Sequence, residues 1–136
     1  MQEKPKKRKS VPQARKTISD GPWVESWRPW GSFTVLADEM DHKVKRLVVS
    51  AGRRMSLQRH RFRTEHWHVV SGTGLVTRGK KQVKVEDGSS VDIPAGMLHR
   101  VQNVGRKDLV IIEVQRGEYF GEDDIERIED DFGRAR

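Results

Sequence analysis

SLQRHRFRTEHWHVVSG, residues 56–72, holds one glutamine, three histidines, one glutamate and three arginines in seventeen positions. Either it is a very polar strand or its side chains gather around a cation. Alternation separates the two readings. Residues two apart on a strand share a face, so Gln58 and His60 point the same way. Glu65 opens the next strand after a four-residue turn and returns to that side. His66 and His68 sit one and three residues beyond it and face away. They read as surface or packing histidines, as does His42 in its own turn. A later histidine, His99, follows a Pro-Ala-Gly turn (Pro94, Ala95, Gly96) at the head of another strand. Two imidazoles and a carboxylate inside a barrel are costly without a compensating cation, and a divalent metal supplies one.

Working outward, short apolar runs recur every eight to twelve residues from Ser32 onward. Strands are expected at 32–37, 43–50, 56–60, 65–71, 74–78, 81–86, 89–93, 99–104 and 108–116. Val, Ile and Thr fill them, and turn sequences such as SGTG, RGKK, EDGS and NVGRKD separate them. Such a pattern implies a β-sandwich or barrel. Helical spacing is confined to GEDDIERIEDDFG, where Ile125 and Ile128 predict a short C-terminal helix. The preceding DGPWVESWRPWG, residues 20–31, reads as an irregular lead-in whose tryptophans (Trp23, Trp27, Trp30) cover one end of the core or reach across a partner in a homodimer.

The chain has 136 residues and a net charge of +7. Seven basic residues (Lys4, Lys6, Lys7, Arg8, Lys9, Arg15 and Lys16) against Glu3 put nearly all of that excess in the first sixteen positions. Residues 1–20 are therefore expected to be a basic disordered arm, and 21–136 a single domain. KPKKRKS is compatible with nucleic-acid contact or an import-like signal. A solvated tail is favoured, because the arm has no aromatics to stack on bases. No apolar run is long enough to span a membrane or to form a secretory signal, so a cytoplasmic location is expected. The absence of cysteine excludes disulfides and thiolate ligands.

The spacing is more specific than the composition. Gly52, Gln58, His60, Glu65 and Gly72, then Gly88, Pro94, Gly96, His99 and Asn103, resemble the two signature motifs of the cupin superfamily. Only Gln58 departs, where the family has histidine. The resemblance implies an all-β cupin double-stranded β-helix, a jelly-roll barrel, with the short helix appended. It implies a metal held by Gln58, His60, Glu65 and His99. That donor set suits Zn, then Fe, Mn or Ni, and leaves a position for a substrate oxygen.

RPWG (28–31), SLQRHRFRTEHW (56–67), IPAGMLHR (93–100) and IIEVQRGEYFGEDDIERIEDDFGR (111–134) narrow the match. They resemble the C-terminal domain of type II phosphomannose isomerases, which usually follows a mannose-1-phosphate guanylyltransferase. The resemblance implies a free-standing isomerase domain without nucleotide transfer. It would interconvert mannose 6-phosphate and fructose 6-phosphate through an enediolate, with the sugar phosphate as its small-molecule partner. Arg63, the motif arginine between the ligands, is expected to assist catalysis, and Arg100 to contact substrate. Glu113, Glu118 and Lys45 remain as alternative proton-transferring groups. The Arg59–Phe62 run differs from the family's aromatic-His-His at this point, which leaves the substrate open. A non-catalytic sugar-binding cupin is the second reading, and a non-haem metal oxygenase the third.

Overall fold

The structure is a computed structural model that describes residues 24–135. The basic arm and Trp23 lie outside the described residues. Eleven strands follow in chain order: β1 (Glu25–Arg28), β2 (Gly31–Asp38), β3 (His42–Val49), β4 (Leu57–Arg59), β5 (Arg63–Ser71), β6 (Gly74–Arg78), β7 (Lys81–Val85), β8 (Ser90–Ile93), β9 (His99–Asn103), β10 (Leu109–Gly117) and β11 (Glu126–Glu129). They form two antiparallel sheets, β1-β2-β3-β10-β5-β8 and β11-β4-β9-β6-β7. The nine expected strands are all present, within a residue or two of their predicted ends.

The alternation in the sequence is what closes the barrel. Along β5, Arg63, Glu65, Trp67 and Val69 are buried while Thr64, His66, His68 and Val70 are exposed. Leu109, Ile111, Glu113 and Gln115 do the same on β10, and Lys45, Leu47 and Val49 on β3. Register then grades the interior along its length. Val49 pairs with Leu109, Leu47 with Ile111 and Lys45 with Glu113 across β3 and β10; on the other side, Ile111 pairs with Val69 and Gln115 with Glu65. One end of the barrel is therefore packed with Val, Leu and Ile, and the other end is lined with charge. The hydrophobic core lies at the first end, with Trp67 at the boundary.

Two sequence expectations are corrected. The lead-in is not irregular: Glu25–Arg28 pairs with Gly31–Thr34 as a hairpin. Trp30 is buried, but Trp27 stands 71% exposed among the described residues. The C-terminal helix is replaced by a strap of turns ending in β11, which pairs with β4. Charge explains the replacement. Glu122 pairs with Lys45, Glu126 with Arg59, Glu129 with Arg100 and Asp131 with Arg54, so the acids of the strap are laid out against cations of the barrel. A helix would turn part of that set to solvent. It would also leave one side of the three-residue strand β4 without a neighbour, making it the edge of its sheet.

Asn103, the last residue of the second motif, has a structural explanation. Its buried amide donates to the carbonyls of Val49 and Lys107, both at 2.8 Å, and accepts from the Gly105 N–H at 2.8 Å. Asn103→Asp keeps the shape but removes both donors and buries a charge. It should cost about 2–4 kcal/mol in denaturant unfolding, more than Asn103→Ser at the same site.

Candidate metal centre

His60, Glu65 and His99 bring one ligand atom each to within 4.8 Å of one another, all on buried side chains. They arrive from three places: the end of β4, the start of β5 and the start of β9. Gln58 pairs directly with His99 across β4 and β9, which brings the fourth expected donor to the same point. The tight turns do the placing: Gly96 donates its N–H to the His60 carbonyl at 2.7 Å and so ties the Pro94–Gly96 turn to the end of β4.

Each imidazole is fixed from behind. His60 Nδ1 lies 2.6 Å from the Asp124 carbonyl, and His99 Nδ1 lies 2.9 Å from the Met97 carbonyl. A carbonyl only accepts, so Nδ1 carries the hydrogen in both rings and Nε2 offers a lone pair to the cluster. This is the arrangement that orients histidine for a metal. Among the described residues Nε2 of His99 has no hydrogen-bond partner, although it is buried. Burial, reinforced by the charge of Arg63, pushes the His60 pKa down to about 4. Burial does the same for His99, also to about 4, against the opposing pull of the Met97 carbonyl and Glu113. Both rings are thus neutral near pH 7. Neutral imidazoles with Nε2 turned toward a carboxylate fit a divalent cation.

Gln58 is present but turned. Its Oε1 accepts from the Ser56 hydroxyl at 2.7 Å, and its Nε2 lies 3.3 Å from His60 Nε2. A half-turn of the amide presents the oxygen to the cluster and leaves the nitrogen to donate to Ser56. Arg63 lies beside the cluster: Nε donates to Glu65 Oε2 at 3.0 Å, and Nη2 lies 3.3 Å from His60 Nε2. Arg100 is not brought to the cluster. One residue beyond His99, it lies on the other face of β9, where it donates to the Met55 carbonyl at 3.1 Å and to Glu129 at 3.1 Å. Its guanidinium holds β11 rather than lining the cavity. His66 and His68 face outward, against Asp92 and Ser90, as alternation requires.

Beside the cluster, a cavity is lined by Lys45, Glu113 and Glu122 together with Gln58, His60 and Arg63. Glu113 is linked to Glu65 by one donor: Trp67 Nε1 lies 3.1 Å from Glu65 Oε1 and 3.0 Å from Glu113 Oε2. Gln115 donates to Glu113 Oε1 at 2.6 Å. Burial, followed by the negative charge of Glu65, raises the Glu113 pKa to about 7, with Lys45 and Arg63 opposing. Glu118 is exposed outside the barrel, which removes it from the set of candidate proton carriers. Inward parity with Leu47 and Ile111 was the signal in the sequence that sets Lys45 and Glu113 apart. Nothing comparable marked Glu122 or Asp124, whose places depend on the strap.

An antiparallel double-stranded β-helix of the cupin class, with two histidines and a glutamate at its polar end, is what the fold and this cluster define. The architecture is shared with a Klebsiella pneumoniae protein described as having a double-stranded β-helix domain: TM-score 0.64, 17% identity, 81% of this chain and 82% of that one. Sequence narrows the class. The family described as Mannose-6-phosphate isomerase C-terminal matches residues 18–130, and the chain belongs to that family. It is similar to the alginate biosynthesis protein AlgA of Pseudomonas aeruginosa, at 48% identity over 82% of this chain and 23% of that protein. It is also similar to the xanthan biosynthesis protein XanB of Xanthomonas campestris pv. campestris, at 45% identity over 86% of this chain and 25% of that protein. The chain thus spans about a quarter of the length of these relatives. Among the described residues, no helix is long and apolar enough to cross a membrane.

The shifts have opposite signs in stability. Unfolding frees both histidines to take up protons below their usual 6.5, so their contribution is full above pH 6.5 and lost as pH falls toward about 4. Glu113 is held protonated up to about 7 rather than 4.5, so its contribution is full below pH 4.5 and lost as pH rises through about 7. Chelator-treated protein should therefore melt at rising temperature from pH 4.5 to 6.5 and turn over near neutrality. Glu113→Gln should remove the fall on the neutral side, as read by calorimetry across pH.

Proposed function

We propose that this domain is a metal-dependent sugar-phosphate isomerase that interconverts mannose 6-phosphate and fructose 6-phosphate through an enediolate. The observation that carries this reading is the buried cluster of His60, Glu65 and His99, with both Nδ1 atoms tied to backbone carbonyls. It occurs in a chain of the mannose-6-phosphate isomerase C-terminal family. His60, Glu65 and His99, with the amide of Gln58 turned inward, would hold the ion; zinc suits that set best, before iron, manganese or nickel. When bound, a divalent ion supplies Lewis-acid polarisation of the substrate oxygens.

The remaining work falls to the side chains of the chain itself. In the forward direction a base removes the proton from C2 of the open-chain aldose, and the C1 carbonyl becomes the C1–C2 enediolate. The O2 proton passes to O1 and the carbon proton returns to C1, leaving the C2 carbonyl of the ketose. Glu113 is the proposed base. It lines the same cavity as His60 and Arg63, and Trp67 Nε1 and Gln115 Nε2 fix its two oxygens. Arg63, in contact with Glu65 and His60, places positive charge beside the reacting oxygens, where it stabilises the enediolate. Burial of the cluster excludes water and strengthens each of these interactions.

Purified protein should carry about one divalent ion per chain, and a coupled assay should detect fructose 6-phosphate formed from mannose 6-phosphate. Chelation and His60→Ala should both abolish turnover. Glu113→Gln should lower kcat by roughly 10²–10⁴-fold with the metal content retained. Metal-loaded protein that turns over no hexose phosphate would overturn the reading, and tight sugar binding without turnover would favour a non-catalytic sugar-binding cupin.

A further inference from the structure

One cation of the cavity takes its carboxylate from the strap and not from the barrel, and a second touches the strap as well. Lys45 lies on the central strand β3 and is 4% exposed, yet its Nζ meets Glu122 Oε2 at 2.5 Å. Arg63 Nη1 reaches the Gly121 carbonyl at 3.5 Å. The barrel does supply a carboxylate opposite Lys45, since Glu113 is its partner in the β3–β10 register. That carboxylate is engaged by Trp67 and Gln115 instead. Lys45 is therefore a desolvated ammonium on a rigid strand, stacked 4.2 Å from the centre of the Phe33 ring. Its counterion comes from outside. The Glu122 side chain is 53% exposed and belongs to a turn, not to a strand.

The two halves of this pair differ in how easily they part. Moving Lys45 would disturb the centre of a sheet, whereas moving Glu122 needs only a turn adjacent to Gly121. A half-exposed carboxylate contributes little to hold such a pair together. A phosphate presents more charge and three oxygens to the same ammonium. Ile125 and Arg127 of the strap line the same cavity as Glu122, so the space beside Lys45 is bounded by the element that would yield. Other parts of the strap are anchored separately: the Asp124 carboxylate accepts from the Arg61 and Phe62 N–H groups, both at 2.9 Å. Withdrawal of Glu122 leaves that clip in place.

We propose that Lys45 anchors the phosphate group of the substrate, and that Glu122 is a built-in competitor which occupies this cation until phosphate displaces it. The proposal rests on the substrate being a sugar phosphate, and it does not depend on the reaction performed on it. It assigns Glu122 a role opposite to that of an ordinary structural ion pair. Neutralising Glu122 should tighten anion binding, because the fraction of chains with a free ammonium rises.

Isothermal titration of the purified protein with inorganic phosphate, mannose 6-phosphate and mannose tests this. Glu122→Gln should bind the two phosphates about five- to tenfold more tightly than wild type. Lys45→Met should bind them at least about tenfold more weakly. Mannose should show no dependence on either residue. Circular dichroism reports whether Lys45→Met folds; if it does not, Glu122→Gln decides alone, since that side chain is half exposed. Unchanged or weaker phosphate binding by Glu122→Gln, phosphate affinity within twofold of wild type in folded Lys45→Met, or a wild type that binds neither phosphate would each overturn the proposal. Loss of the isomerase reading looks different: the binding pattern holds while no turnover is found. Turnover with an unchanged KM in Lys45→Met would sink the anchor and leave the isomerase standing.

Discussion

Two carboxylates inside one end of a barrel set the terms for everything around them. Glu65 and Glu113 are both almost fully buried and share a single donor, the indole N–H of Trp67. Desolvation and mutual repulsion act against two negative charges in that space, and the raised pKa of Glu113 is the result. The surrounding residues supply compensation. Arg63 reaches Glu65, Lys45 stands across from Glu113, and the imidazoles of His60 and His99 turn their Nε2 atoms inward. An apolar interior would need none of this. The polar end is thus a costly construction carried by the Val, Leu and Ile layers at the other end of the same strands.

That division of labour explains why so much was legible beforehand. A buried strand face repeats every second residue, so inward positions on β3, β5 and β10 follow from one anchor each. Lys45 shares parity with Leu47 and Val49, and Glu113 with Leu109 and Ile111. The glycine and proline turns at Gly52, Gly72, Gly88 and Pro94–Gly96 fix the strand ends, which is why the spacing of the two motifs already pointed to the cluster of His60, Glu65 and His99. Parity also separated His66 and His68 from the cluster, and the same rule applied to Arg100 places it opposite His99. The chemistry of its guanidinium makes Arg100 an expected substrate contact, and alternation turns that group away from the cluster.

The strap resisted reading for a different reason. Ile125 and Ile128 have helical spacing, but Ile128 is exposed and gains nothing from an apolar face. What decides the conformation is a set of partners 67 to 77 residues away: Lys45, Arg54 and Arg59 for its acids, and the edge of β4 for its backbone. Local propensity holds no record of such pairs. The consequence reaches the cluster itself, because the carbonyl that fixes His60 belongs to Asp124 of the strap. The least legible element therefore completes the most legible site.

The glutamine at position 58 fits the same electrostatic logic. With two neutral imidazoles and one carboxylate as donors, a divalent ion held by His60, Glu65 and His99 would keep one positive charge, and a neutral amide leaves it unchanged. Arg63 and Lys45 add to it from the same cavity. Glu122, anchored on a turn and half exposed, is the carboxylate of that cavity able to leave without breaking a strand. A second carboxylate at position 58 would cancel the excess, whereas an amide preserves it. If that turn swung away as proposed, the cavity would gain net positive charge and suit a ligand that brings its own dianion. Such a ligand restores the balance that burial of these groups demands.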